Sequence, residues 1–295
     1  QHPRLRRGKP TSNNNMINSK LLLPIFISLL LSMPSMAQYN EKMISRSLEQ
    51  QTYDIVLPFE LVNGMMIVQV QVSGETLRLI FDTGSITLVR KSVADRLGEK
   101  GFNTQVLDAN NRAASIEAVV LGNLHLDTLA IRETPAFVVE DQHPIIHCFE
   151  VDGLLGSNIF ISSRLTFDWS KRQIRICHSD GQTLPMGIRV NQQNMPYLQA
   201  PFGKKMFEFL FDTGDNSCGA LSMKTRKKVK PFISGNHRRF GITNMGLNGF
   251  ADSRKIEEVR LYHPPFVDGW FEMGESNVFG NKILQNGELV LDYHT

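Results

Sequence analysis

The tetrapeptide Phe-Asp-Thr-Gly occurs twice, at Phe81–Gly84 and Phe211–Gly214, and each copy closes an alternating apolar run. Leu77, Leu79 and Phe81 lead into the first aspartate, and Phe207, Phe209 and Phe211 into the second. A period of two puts each triplet on one face of a β-strand that enters the turn. The echo continues downstream. Leu154-Leu155-Gly156 and Val278-Phe279-Gly280 each place two apolar residues before a glycine. Twelve residues past each glycine stands an aspartate followed by an aromatic, Asp168-Trp169 and Asp292-Tyr293. Repetition of both motif and spacing marks an internal duplication rather than chance.

The residues around these anchors read as short strands and turns. Met66–Val72, with Gln69 and Gln71 on one face, meets Leu77 through a Ser73-Gly74-Glu75 turn. Tyr197–Phe202 meets the second run through Gly203-Lys204, and Pro201 marks that strand as an edge or a bulge. Thr104–Leu107 and Ala114–Leu121 flank a polar loop. Phe240–Met245, Gly246–Asp252 and Lys255–Leu261 do the same in the second half. Brief helices are expected within Val89–Leu97 and Ser222–Lys230. The pattern predicts an all-β protein of two lobes, over 38–178 and 179–295, joined near the polar connector Ser179–Leu184. The first copy continues through Lys171–Ile176, whereas the second stops at Thr295, so the second lobe is open to truncation at its end.

Residues 16–37 have the layout of a secretory signal peptide: Lys20, an apolar run Leu21–Leu31, and Ser35-Met36-Ala37 before the expected cut. The run is short for a membrane span, so no transmembrane segment is expected in the mature chain, which would be exported to the periplasm or outside the cell. Residues 1–15, ahead of Met16, are an upstream segment with no assigned role. The first 37 residues hold five Lys and Arg and no acid. Removing them leaves 27 of the 32 basic residues against all 29 acidic ones. The pI near 8.7 therefore belongs to the discarded end and argues for no nucleic-acid partner. The basic cluster Lys224–Lys230 reads as a solvated helix face. Three cysteines, Cys148, Cys177 and Cys218, define no disulfide framework. His143 and His147 are four apart, but Pro144 between them argues against the helix an i,i+4 metal pair would need. The other histidines are scattered, and no metal site is expected.

A single Asp-Thr-Gly is most often a plain turn. Two of them at the ends of duplicated buried strands are different. If the copies pack about an approximate two-fold axis, Asp82 and Asp212 meet there. Two carboxyls at such proximity share a proton. The ionised one can draw a proton from a trapped water that attacks a carbonyl. The protonated one can hydrogen-bond the carbonyl oxygen and help protonate the departing nitrogen. No metal, organic cofactor or covalent intermediate is required.

With these residues the chain resembles the retropepsin-like and pepsin-like aspartic peptidases, especially bacterial exported aspartyl proteases. Phe81–Ser85 and Phe211–Gly214 are similar to the catalytic motif, and Asp152–Gly156 to the apolar-apolar-Gly element that crosses beneath it. Glu275–Gly280 is a looser version. The similarity runs over roughly 52–295. The resemblance implies a pepsin/retropepsin-like acid protease fold with pseudo-two-fold duplication, Asp82 and Asp212 as catalytic residues, and an extended peptide or protein substrate. It also implies interlocking contacts from Thr83 and Thr213 beside Gly84 and Gly214, and a hydrogen bond from Ser85 to the outer oxygen of Asp82. Because the site is duplicated within one chain, a monomer suffices to build it. Flap tips are expected at Asn110 and Asn111 in the first lobe and at Leu247 and Asn248 in the second, without a flap tyrosine in the first. Asp215 replaces the usual Ser or Thr. It could raise the dyad, point to solvent, or mark impaired activity. The alternative reading is accordingly a pepsin-like peptide-binding or scaffolding protein of the cell envelope with impaired catalysis.

Overall fold

The computed structural model describes residues 43, 47–48, 52–107, 113–181, 188–202, 204–229, 233–242, 248–256 and 269–293. The expected signal peptide, the upstream segment, residues 182–184 of the connector, and the flap positions Asn110, Asn111 and Leu247 lie outside them. The described strands form an eleven-stranded, an eight-stranded and a four-stranded sheet.

The duplication read from two tetrapeptides extends through seven strands of each half. In the first half the spatial order is Met65–Val72, Glu75–Asp82, Gly153–Gly156, Leu88–Arg90, Thr134–Val139, Ala113–Leu121, Gly98–Leu107. In the second it is Pro196–Phe202, Lys205–Asp212, Val278–Gly280, Gly219–Ser222, Gly269–Gly274, Asn248–Ile256, Ile233–Ile242. Along both paths the pairings run antiparallel, parallel, antiparallel, parallel, antiparallel, antiparallel. Register repeats too: Gly156 lies opposite Asp82, and Gly280 opposite Asp212. The fold is all-β and two-lobed, each half repeating the strand order and register of the other.

Apolar alternation drives the strands as anticipated. Leu77, Leu79, Phe81, Phe209 and Phe211 are buried, while Gln69 and Gln71 remain exposed. The turn between the first two strands is Ser73-Gly74, both at positive φ, as a two-residue hairpin loop demands. Pro201 is paired with Met206 on one side, and the short neighbour Arg189–Val190 reaches only Tyr197 and Pro196, so the strand is a sheet edge at Pro201.

The four-stranded sheet ties the halves together. Asp54–Pro58, Gln173–His178 and Ser163–Asp168 come from the first half and Glu288–Asp292 from the second. Phe167 stands on this sheet with its ring edge-on to both Phe81 and Phe211, at 5.8 and 5.9 Å between centroids. One ring thus anchors the residue ahead of each aspartate. Arg164 reaches Asp292 across the same sheet at 2.7 Å, and buried Tyr293 packs on Phe160.

Phe279, bulky for its place in the motif, has a partner that accounts for it. It stacks on Phe209 with centroids 4.0 Å apart and meets Phe271 edge-on, all three fully buried. Phe279→Ala is expected to destabilise the second lobe by about 3–5 kcal/mol, read as a lower urea midpoint at unchanged slope.

Two expectations need correction. Pro144 starts a helix instead of preventing one: Pro144–Phe149 is helical, with His143 as its N-cap accepting from the Ile145 N–H. Proline suits the first helical position because the N–H it lacks would have no partner there. The strand expected from Phe240 begins earlier, at Ile233, and its partner Asn248–Ile256 is continuous across the break expected at Asp252.

Candidate active site

Each Phe-Asp-Thr-Gly turn lies at the end of a strand wedged between a parallel and an antiparallel neighbour, so the two aspartates emerge from fixed backbone. The turns then cross-link. Thr83 N–H donates to Thr213 Oγ1 at 3.0 Å and Thr213 N–H to Thr83 Oγ1 at 3.1 Å. Each hydroxyl donates onward into the opposite strand, Thr83 to the Phe211 carbonyl at 2.6 Å and Thr213 to the Phe81 carbonyl at 2.7 Å. Both threonines are fully buried, so four hydrogen bonds in apolar surroundings hold the loops in one relation.

The grip brings Asp82 and Asp212 together. Asp82 is 6% exposed, Asp212 somewhat more open, and the two carboxyls are within hydrogen-bonding reach of one another. Gly84 N–H donates to Asp82 Oδ1 and Gly214 N–H to Asp212 Oδ1, each at 2.9 Å. The glycines are required by proximity. A Cβ on Gly84 would stand 2.3 Å from Asp212 Cγ, and one on Gly214 2.5 Å from Asp82 Cγ. Each loop leaves only enough room for the carboxyl of the other.

Burial is the main cause that raises both acids. It lifts Asp82 to about 6, against the hydrogen bonds it accepts and with a further push from Asp215. Asp212 is pushed well above the carboxylate range, first by burial, then by the charges of Asp82 and Asp215. The pair retains a shared proton because a second charge would have to form beside the first in a site poor in water.

Asp215 does not simply point to solvent. It is half-buried, and its Oδ1 accepts from Ser217 N–H at 2.8 Å in a turn of its own loop. Its charge adds to the upward push on both members of the dyad. The Ser85 hydroxyl is placed to donate to the Ile86 carbonyl at 2.9 Å. Of the flap positions, Asn248 opens the strand Asn248–Ile256. The first-lobe hairpin pairs Leu107 with Ala113, which sets the expected tip between two long antiparallel strands.

Several supporting residues were missed by motif reading. The residue after each downstream glycine reaches beneath its Phe-Asp-Thr-Gly turn: Ser157 Oγ donates to the Thr83 carbonyl at 2.5 Å, and Asn281 Nδ2 to the Thr213 carbonyl at 3.1 Å. Each lobe also extends a turn to the other. Asn281 Nδ2 donates to the Gly64 carbonyl at 2.8 Å, and Asn194 Nδ2 to the Ser157 carbonyl at 2.9 Å. The available signal was positional: Ser157 and Asn281 hold the same place in the repeat.

Residues 68–159, including the first Phe-Asp-Thr-Gly, match the family model described as aspartyl protease. That segment is similar to aspartyl proteases. The second Phe-Asp-Thr-Gly turn lies beyond the match, and its equivalence rests on the repeated strand order and register. No curated protein sequence matches the chain. Similar solved structures include basic 7S globulin from soybean, at 9% identity over 82% of this chain and 92% of that one, with TM-score 0.44. An aspartic proteinase from Irpex lacteus has 11% identity over 81% and 94%, with TM-score 0.43. A retropepsin-like aspartic protease from Rickettsia conorii has 15% identity over 45% and 96%, with TM-score 0.33.

Proposed function

We propose that the chain is an aspartic endopeptidase in which Asp82 and Asp212 activate a water for attack on a peptide carbonyl. The observation that carries this reading is the mutual approach of two buried carboxyls, each accepting an N–H from its own turn and each facing the glycine of the other. The ionised member takes a proton from water as the new C–O bond forms. The protonated member donates to the carbonyl oxygen, and the dyad then delivers a proton to the departing nitrogen as the C–N bond breaks. Both carboxyls come from one chain, which supports a site complete within a monomer. A cleft between two β lobes would suit an extended peptide bound along its backbone.

Among the described residues no helix is long and apolar enough to cross a membrane. The signal-peptide layout of residues 16–37 supports export to the periplasm or beyond.

The raised acids favour a working range at higher pH than unperturbed carboxyls would give. The active form carries one proton on the pair. It is reached as Asp82 ionises near pH 6 and is lost only when Asp212, raised further, also ionises. Cleavage is therefore expected to increase through pH 5–7 rather than to peak near pH 3. The test incubates protein starting at residue 38 with a mixed peptide library across pH 3–9 in ¹⁸O-water, with products read by mass spectrometry. New C-termini carrying the heavy oxygen are expected. Peptides bound yet uncut at every pH would support the envelope peptide-binding protein instead.

A further inference from the structure

Each catalytic turn contains one peptide plane that faces two ways. The plane between Thr83 and Gly84 offers its carbonyl to Ser157 Oγ at 2.5 Å and its N–H to Asp82 Oδ1 at 2.9 Å. The plane between Thr213 and Gly214 offers its carbonyl to Asn281 Nδ2 at 3.1 Å and its N–H to Asp212 Oδ1 at 2.9 Å. We propose that Ser157 and Asn281 are positioning residues for the two aspartates, each acting through that single peptide plane, and that their unequal support places the shared proton on Asp212. This rests on the dyad assignment above and names the residues that set its asymmetry.

The physical basis is hydrogen-bond cooperativity. A donor on an amide carbonyl polarises the group and makes its N–H a stronger donor at the other end. It also fixes the plane, and so the line along which the N–H meets the carboxylate. Ser157 and Asn281 are both fully buried, and no solvent competes for these bonds. Their backbones add a second tie at matching places: Ser157 N–H donates to the Ser85 carbonyl at 2.9 Å and Asn281 N–H to the Asp215 carbonyl at 2.8 Å.

The two supports are unequal. The Ser157 hydroxyl directs its one proton to Thr83 at short range. The Asn281 amide gives one of its two N–H groups to the Gly64 carbonyl at 2.8 Å and the other to the Thr213 carbonyl at the longer 3.1 Å. Gly84 is therefore the better donor, and the anion is favoured on Asp82. The stronger upward push on Asp212 runs the same way. Among the described residues, the titratable groups that bear on this balance are the dyad itself, Asp215, and the buried Tyr293 hydroxyl beside Ser157.

The test is a ¹³C-carboxyl NMR titration of Asp82 and Asp212 in the otherwise intact protein, with D82N and D212N used to assign the signals. Ser157→Ala is expected to raise the Asp82 titration by roughly 0.2–0.6 pH unit, since a polarised neighbour contributes a fraction of a charge-assisted hydrogen bond. Ser157→Thr, which keeps the hydroxyl, is expected to restore the parent value, and Tyr293→Phe to leave it unchanged. In peptide cleavage the same shift moves the acidic limb of kcat upward without changing KM. If Ser157→Ala does not fold, Asn281→Ala is read at Asp212, where an upward shift is again expected. A folded Ser157→Ala variant with Asp82 titrating as in the parent, or a Thr variant shifted like the Ala one, overturns the proposal. So does an Asn281→Ala variant that leaves Asp212 unmoved or does not fold, where it is the variant that decides. The titration requires no turnover. An inactive protein with the expected shifts would refute the peptidase reading and leave the positioning role standing.

Discussion

Asp82→Asn and Asp212→Asn are each expected to lower kcat for peptide cleavage by a factor of about 10³ or more, and to make the folded protein more stable above pH 6. The loss follows from the chemistry. An amide can neither take the proton of the attacking water nor hold the shared proton, and the partner carboxyl cannot perform both roles. The gain in stability follows from burial. Asp82 is raised from 3.8 to about 6 in the folded protein. A carboxyl raised on folding leaves stability intact below its unfolded value and costs stability as pH climbs through the folded one. For Asp82 the window is pH 4–6, and the cost approaches about 3 kcal/mol at neutral pH. Asp212 extends the loss to higher pH. Melting curves at pH 4 and pH 7 are the check. The Asn variants should match the parent at pH 4 and exceed it by roughly 4–8 °C at pH 7. Undiminished cleavage by both variants would remove the dyad from the mechanism.

Thr83→Val is expected to destabilise the protein by about 3–5 kcal/mol. The change keeps shape and volume, yet removes the acceptor of the Thr213 N–H and the donor to the Phe211 carbonyl. Both are buried backbone groups with no water to replace the partner, and each orphaned group carries its own desolvation penalty. Thr83→Ser returns the hydroxyl and should recover most of the loss in urea unfolding. Because the bonds cross between lobes, the variant should also lose activity before it unfolds, as the carboxyls drift apart. If Thr83→Val unfolds like the parent, the cross-grip is not what holds the turns.

The reversal at Pro144 shows where a local rule misleads. Proline excludes helix interior, but whether Pro144 is interior or first residue depends on where the chain enters, and His143 capping Ile145 makes it first. Phe279 makes the opposite point. Its bulk has no account in the motif alone, and only the stacked Phe209 shows how the second core fills the space beside it. Ser85 shares this dependence, because its hydroxyl chooses among acceptors that only coordinates bring into range.

Local order was legible in the chain because it has a period. Two Phe-Asp-Thr-Gly turns, two apolar pairs ahead of a glycine, and one shared offset were enough to locate the repeats and to nominate Asp82 and Asp212. Backbone alternation and turn chemistry act over a few residues, so they are written as neighbouring letters. What only the tertiary structure decided are the relations across the two lobes: Phe167 set between Phe81 and Phe211, Asn194 and Asn281 reaching over the seam, Ser157 beneath Thr83. These join residues separated by dozens to hundreds of positions. Hydrogen bonding and desolvation depend on distance in space, which no single sequence states, and so the proton balance of the dyad became readable only once the chain was folded.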